Sequence, residues 1–128
     1  MRWPVIVVLV ASVFCAGPAR AQNVANGEEV FKKCRACHQL GETARNTIGP
    51  QLNGIIGRTA GTVEGFNYSN ANKSSGVTWD KASFLTYIKD PRAAMPGNKM
   101  AFAGIKDEQE ANDLFAYLAQ FDVSGKKK

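Results

Sequence analysis

The chain has 128 residues, a formal net charge of +5, three cysteines, three methionines and one histidine. That length suits a single small domain, whose modest apolar core is often completed by a disulfide, a metal or a cofactor. The excess of positive charge is too slight to favour nucleic acid as a partner, and part of it lies in an N-terminal segment expected to be removed.

Met1-Arg2 opens the chain with a positive n-region, and Val5 to Ala16 is an apolar run that suits an h-region but is too short to span a bilayer. Ala19-Arg20-Ala21 has the small-x-small pattern of a cleavage site. Residues 1–21 therefore read as an export signal cut after Ala21, with a retained N-terminal anchor as the competing reading. Cys15 follows Phe14, where lipid attachment requires Gly or Ala, so it is expected to leave with the signal. Removing 21 of the 128 residues leaves 107, from Gln22 to Lys128, and losing Arg2 and Arg20 reduces the charge from +5 to +3. No membrane insertion is expected of this mature domain.

The first helical pattern runs from about Val24 to Cys37, with Val30, Phe31, Cys34 and Cys37 at helical spacing. Asn26 and Glu29 resemble a capping box, which would start the helix a turn later. At its end stands Cys34-Arg35-Ala36-Cys37-His38. A C-x-x-C pair alone is compatible with a redox dithiol, half of a zinc site or a short disulfide. Zinc needs further ligands, commonly a second Cys or His pair, and the mature chain has none. A thioredoxin-like dithiol needs a β-α-β setting, whereas these flanks read as helix followed by loop. C-x-x-C-H reads instead as a c-type haem attachment site: each thiol adds across one vinyl group, and His38 falls beneath the iron as an axial ligand. A large flat apolar cofactor would also complete the small core.

From Gly41 to Gly76 the chain is rich in Gly, Asn, Ser and Thr. So long an irregular stretch is uncommon in a compact domain, unless its loops pack on the haem rather than on one another. A second helix is expected from about Asp80 to Lys89, burying Phe84, Leu85 and Ile88 and stopped by Pro91. The segment Met95-Pro96-Gly97-Asn98-Lys99-Met100 then reads as a loop. With no other histidine, the sixth position could be filled by methionine, filled by lysine or left open; either of these methionines is a candidate, and core packing is the ordinary alternative for each. A third helix should begin after Asp107, capped with Glu110, and reach about Phe121 with Ala111, Leu114, Phe115, Leu118 and Phe121 on one side. Lys126 to Lys128 reads as a frayed, solvated tail.

The order of these motifs resembles the class I cytochromes c, especially the bacterial cytochromes c2 that are close to the mitochondrial protein. The likeness runs from Cys34 to Phe121 through Gly49-Pro50, Gly57-Arg58, Tyr68, Asn72, Trp79, Tyr87 and Pro96-Gly97-Asn98-Lys99-Met100-Ala101-Phe102. It implies an all-α, single-domain class I cytochrome c fold wrapped around one haem c, covalent through Cys34 and Cys37. It selects Met100 over Met95 as the metal ligand that joins His38. It also implies that Tyr87 hydrogen-bonds the methionine sulfur and that the Pro50 carbonyl accepts the other ring N–H of His38. Arg58, Tyr68 and Trp79 resemble donors around a buried propionate, and Asn72 resembles part of an internal polar network near Tyr87. Gly27, Phe31, Leu114 and Tyr117 would form the crossing of the first and last helices. Three departures stand out: Phe31 lies one residue nearer Cys34 than in mitochondrial proteins, Asn98 replaces the usual Thr beside the second propionate, and Asn46 and Asn53 occupy the places of additional histidines.

The implied function is one-electron transport in solution, with no enzymatic activity. The donor would be a cytochrome bc1-type complex, and the acceptor an oxidase of a respiratory chain or a photosynthetic reaction centre. A periplasmic monomer is expected. Lys33, Arg35, Arg92, Lys99 and Lys106 border the haem edge in the family and would form a basic docking patch, although each lysine singly also reads as a solvated charge. A peroxidase or gas sensor would need an open sixth position, and a peroxidase usually a distal acid/base as well, for which no second histidine exists. At high pH, Lys99 is the expected replacement for Met100.

Overall fold

The computed structural model describes Met1, Pro4 and residues 22–128. The expected signal peptide, with Cys15 and the cut after Ala21, otherwise lies outside the described residues. Among the described residues the protein is all-α, with five helices and two isolated bridge pairs. None of these helices is long and apolar enough to cross a membrane.

Helix α1 spans Val24–Phe31, and its N-cap is Asn23, whose side chain accepts the Asn26 N–H at 3.0 Å. The expected Asn26–Glu29 box does not form, because Asn23 takes that place and Glu29 pairs with Lys32 instead. The helix also stops six residues before Cys37. Lys33 and Cys34 bond to Val30 and Phe31, three residues back, and Cys37 bonds to Cys34 in the same way. This tighter winding replaces the helical ladder and carries the attachment motif away from the α1 axis.

Residues 41–76 are held largely by amide side chains. Asn53, 5% exposed, accepts the Gly41 N–H at 2.9 Å and donates to the Gly41 carbonyl at 2.8 Å. Asn46 accepts the Gln51 N–H and donates to the Glu64 carbonyl, closing a second loop. Backbone bonds around the Thr59–Thr78 bridge tie residues 57–60, in the middle of the stretch, to residues 77–79 just beyond its end. These loops therefore bond to one another as well as lining the central cavity, which corrects the expectation that a haem alone would support them. Within them lies a short helix that the polar composition concealed, α2 over Asn70–Ser74, capped by Ser69.

Helix α3 spans Lys81–Lys89 behind a reciprocal Asp80–Ser83 capping box. Pro91 does not merely stop it. Asp90 caps a new short helix, α4 over Pro91–Ala94, with proline at its first position where a missing N–H costs nothing. Helix α5 spans Glu108–Ala119 behind Asp107, which accepts the Glu110 N–H at 2.9 Å. It ends two residues before Phe121.

The core is built mainly where α1 crosses α5, with Val30 and Phe31 packed among Leu114, Tyr117, Leu118 and Phe121. Gly27 permits the crossing: a Cβ there would overlap the Asp113 carbonyl and lie 2.8 Å from the Tyr117 Cβ. Asp113 is 1% exposed, and its carboxylate accepts from the Asn23 N–H, the Asn26 amide and the Gln109 amide at 2.7–2.8 Å. Burial pushes this carboxyl up, but the three donors outweigh it and hold the group below its usual range. The C-terminus does not fray. Lys127 pairs with Phe121, the Lys126 carbonyl accepts from Asp122, and the Lys128 N–H donates to the Gln120 carbonyl at 2.8 Å. Gly125 permits this hook by packing against the backbone of Gly41 and Glu42.

Candidate functional site

One large cavity of about 360 Å³ opens at the centre of the domain. The tight winding after α1 presents Cys34, Cys37 and His38 to it. Neither cysteine is in a disulfide, and burial pushes the Cys34 thiol up to about 11. Desolvation lowers the basicity of His38, against the opposing pull of its hydrogen bond to Pro50. His38 Nδ1 lies 2.8 Å from the Pro50 carbonyl. A carbonyl can only accept, so Nδ1 carries the hydrogen and the neutral ring keeps its Nε2 lone pair for a metal. Gly49 brings that loop down on the imidazole, since a Cβ at Gly49 would overlap the His38 ring.

Met100 also lines this cavity, whereas Met95 is 6% exposed and packs with Ala60 and Trp79. The Tyr87 hydroxyl donates to the Met100 sulfur at 3.4 Å, and burial pushes the phenol up to about 12, so the donor stays protonated. Trp79 stands edge-on to Tyr87 with centroids 4.9 Å apart.

On the loop side, Arg58 Nη2 donates to the Asn53 carbonyl at 2.6 Å while the buried Nη1 has no partner. Tyr68 accepts the Val63 N–H at 3.0 Å, which leaves its own O–H free to donate. The buried Asn72 Oδ1 is likewise unpartnered. All ten residues singled out from the sequence as cofactor-binding line this one cavity: Cys34, Cys37, His38, Pro50, Arg58, Tyr68, Asn72, Trp79, Tyr87 and Met100.

The chemistry of the cavity fits haem c. It combines a thiol pair, a neutral imidazole and a thioether with apolar walls, including Leu52, Ile55, Ile88, Leu114 and Leu118. The unused donors of Arg58 and Tyr68 are matched to a carboxylate, which would otherwise be costly to bury. The apolar wall residues carry no chemical motif: Ile88, Leu114 and Leu118 were legible only as core positions, and Leu52 and Ile55, on the loop stretch without a periodic pattern, were not singled out. Of the five basic residues expected at the edge, Lys33 and Lys99 reach the cavity mouth, while Arg35, Arg92 and Lys106 do not line it. Lys33 is paired with Glu110 at 2.9 Å, and Lys106 donates to the Lys89 carbonyl at 2.6 Å.

Comparison with known proteins agrees with this geometry. The sequence profile of the family described as Cytochrome c matches residues 24–122. A cytochrome c2 of Blastochloris viridis is 56% identical over 121 residues, covering 94% of this chain and 93% of that protein. A cytochrome c-550 of Nitrobacter winogradskyi is 55% identical over 106 residues, covering 83% and 97%. Among solved structures, cytochrome c2 from Rhodospirillum Centenum superposes with a TM-score of 0.74 at 42% identity, covering 78% of this chain and 98% of that one. With a thiol pair, His38 and Met100 facing one apolar cavity and family likeness over nearly the whole described domain, the chain belongs to the cytochrome c family.

Proposed function

We propose that the mature domain, residues 22–128, is a monomeric periplasmic electron carrier in which His38 and Met100 are the two axial ligands. The observation that carries this reading is that both side chains face the same cavity, each held from behind by its own hydrogen bond. Haem c, attached through Cys34 and Cys37, supplies a one-electron iron couple. With such a group bound, the Met100 thioether would favour the reduced iron and raise its potential, and the neutral His38 imidazole would hold the metal from its Nε2. Pro50 fixes the His38 ring and Tyr87 holds the Met100 sulfur, so neither side chain needs to move when charge changes. Arg58 would offset the charge of a propionate, with Tyr68 and Trp79 as further donors to it, and Asn72 would add a polar atom to the same wall.

A cytochrome of this kind carries electrons between membrane-bound complexes rather than catalysing a reaction. The donor proposed is a bc1-type complex and the acceptor an oxidase or a photosynthetic reaction centre. Docking would use Lys33 and Lys99 at the cavity mouth, with Arg35, Arg92 and Lys106 as further members of the patch. Arg92 and Lys99 are exposed and form no ion pair among the described residues, Arg35 lies over the Phe31 ring at 5.9 Å, and the Lys33–Glu110 pair reduces one contribution. Stopped-flow oxidation of the ferrous protein by acceptor membranes tests this docking. The second-order rate should fall steeply as salt rises through the range where the Debye length shrinks to about 10 Å. A rate that stays flat across that range would remove the basic patch from the mechanism.

A further inference from the structure

Asn98 closes a three-way clamp at the turn carrying Met100. Its Nδ2 donates to the carbonyls of Pro91 and Met95, each at 2.8 Å, and its Oδ1 accepts the Met100 N–H at 2.7 Å. The carbonyls can only accept and the N–H can only donate, so only one orientation of the amide satisfies all three.

The anchors of this clamp are firm. Pro91 is fully buried at the start of α4, and Met95, 6% exposed, is the last cap of that helix. The Asn98 N–H adds a fourth bond to the Met95 carbonyl at 3.2 Å. Between the anchors and Met100 the chain turns through Gly97 at φ 86°, with no helical ladder to stiffen it. The Met100 N–H is bonded to the Asn98 side chain, so the backbone of the thioether residue is tied to α4 through this one amide. Both amide hydrogens are used, which leaves Asn98 no donor for a carboxylate in the cavity it borders. A threonine hydroxyl at this position would have one donor and could not reproduce the fork.

We propose that Asn98 is a positioning residue that sets how firmly Met100 stays on the iron, an inference that rests on reading Met100 as the sixth ligand. The clamp holds the backbone of Met100 while Tyr87 holds its sulfur, so loosening the clamp lowers the cost of exchanging Met100 for another ligand at high pH. The test uses the ferric holoprotein and follows the weak far-red absorption band of methionine-ligated iron as pH is raised. In Asn98→Ala the pH at which the band disappears should fall by about one unit or more, the tenfold change expected from losing bonds of this kind. Asn98→Thr should fall between Asn98→Ala and the parent. Asp107→Ala, which removes the cap of α5 and no bond of the clamp, should lower the urea midpoint yet leave that pH unchanged. An unchanged midpoint in Asn98→Ala, or an equal shift in Asp107→Ala, would overturn the positioning role. A parent protein with no such band at neutral pH would instead overturn Met100 as the sixth ligand, and the proposal with it.

Discussion

Replacing Gly27 with alanine sets two physical effects against each other, and the structure decides the sign. In an isolated helix the change should stabilise by about 1 kcal/mol, because glycine is a poor helix former. At the α1–α5 crossing, however, the new Cβ would overlap the Asp113 carbonyl oxygen and lie 2.6 Å from its carbon and 2.8 Å from the Tyr117 Cβ. Two of these contacts are backbone inside α5, so no side chain can swing aside. The helices must separate, straining Phe31 against Tyr117, whose ring centroids are 5.7 Å apart, and loosening the Asp113 bonds to Asn23 and Asn26. Overpacking of this kind costs about 1–3 kcal/mol, and a clash with helix backbone belongs in the upper half of that range, about 2–3 kcal/mol. Set against the helix-propensity gain, we expect a net loss of about 1–2 kcal/mol, which for a domain near this size lowers Tm by roughly 5–15 °C. Urea and thermal unfolding of the holoprotein, followed by far-ultraviolet circular dichroism, give both values. A variant as stable as its parent, or more stable, would refute the close crossing as the reason for glycine.

Asp113→Asn should destabilise the protein at neutral pH while making it less sensitive to acid. The folded-state pKa of Asp113 is held below its usual 3.8, so its contribution is present above that value and is lost as pH falls through the depressed one. The stability difference between parent and variant should therefore shrink below about pH 4, and a difference constant from pH 7 to pH 3 would refute the assignment. Deleting Lys126 to Lys128 should lower stability by about 1 kcal/mol through loss of the exposed bonds to Gln120 and Asp122; an unchanged urea midpoint would mean that the tail is free after all. Lys99→Ala should remove the high-pH form in which Lys99 replaces Met100, and a spectrally unchanged alkaline product would assign that ligand elsewhere.

The attachment motif was legible because C-x-x-C-H demands a fixed chemistry, and a single histidine left few rivals. The helices were legible wherever an apolar stripe met a capping residue, as at Asp80 and Asp107. Their ends were not. The change from helical to three-residue winding at Lys33 leaves the apolar spacing of Phe31, Cys34 and Cys37 undisturbed, so periodicity carried α1 too far. Asn46, Asn53 and Asn98 were visible only as departures or loop composition, since an amide's value depends on partners distant in sequence. The same holds for Asp113, a residue type expected at the surface that is nevertheless almost wholly buried. The choice between Met95 and Met100 came from family resemblance. Spacing could not supply it, because both stand in the same Pro-Gly segment.

Met100 is proposed to close the sixth position on the iron. Titrating the ferrous holoprotein with carbon monoxide at neutral pH, alongside the far-red spectrum of the ferric form, tests it most directly. A clear methionine–iron band and no carbon monoxide complex are expected. Ready carbon monoxide binding with no such band would contradict that closure and point to an open-site haem protein instead.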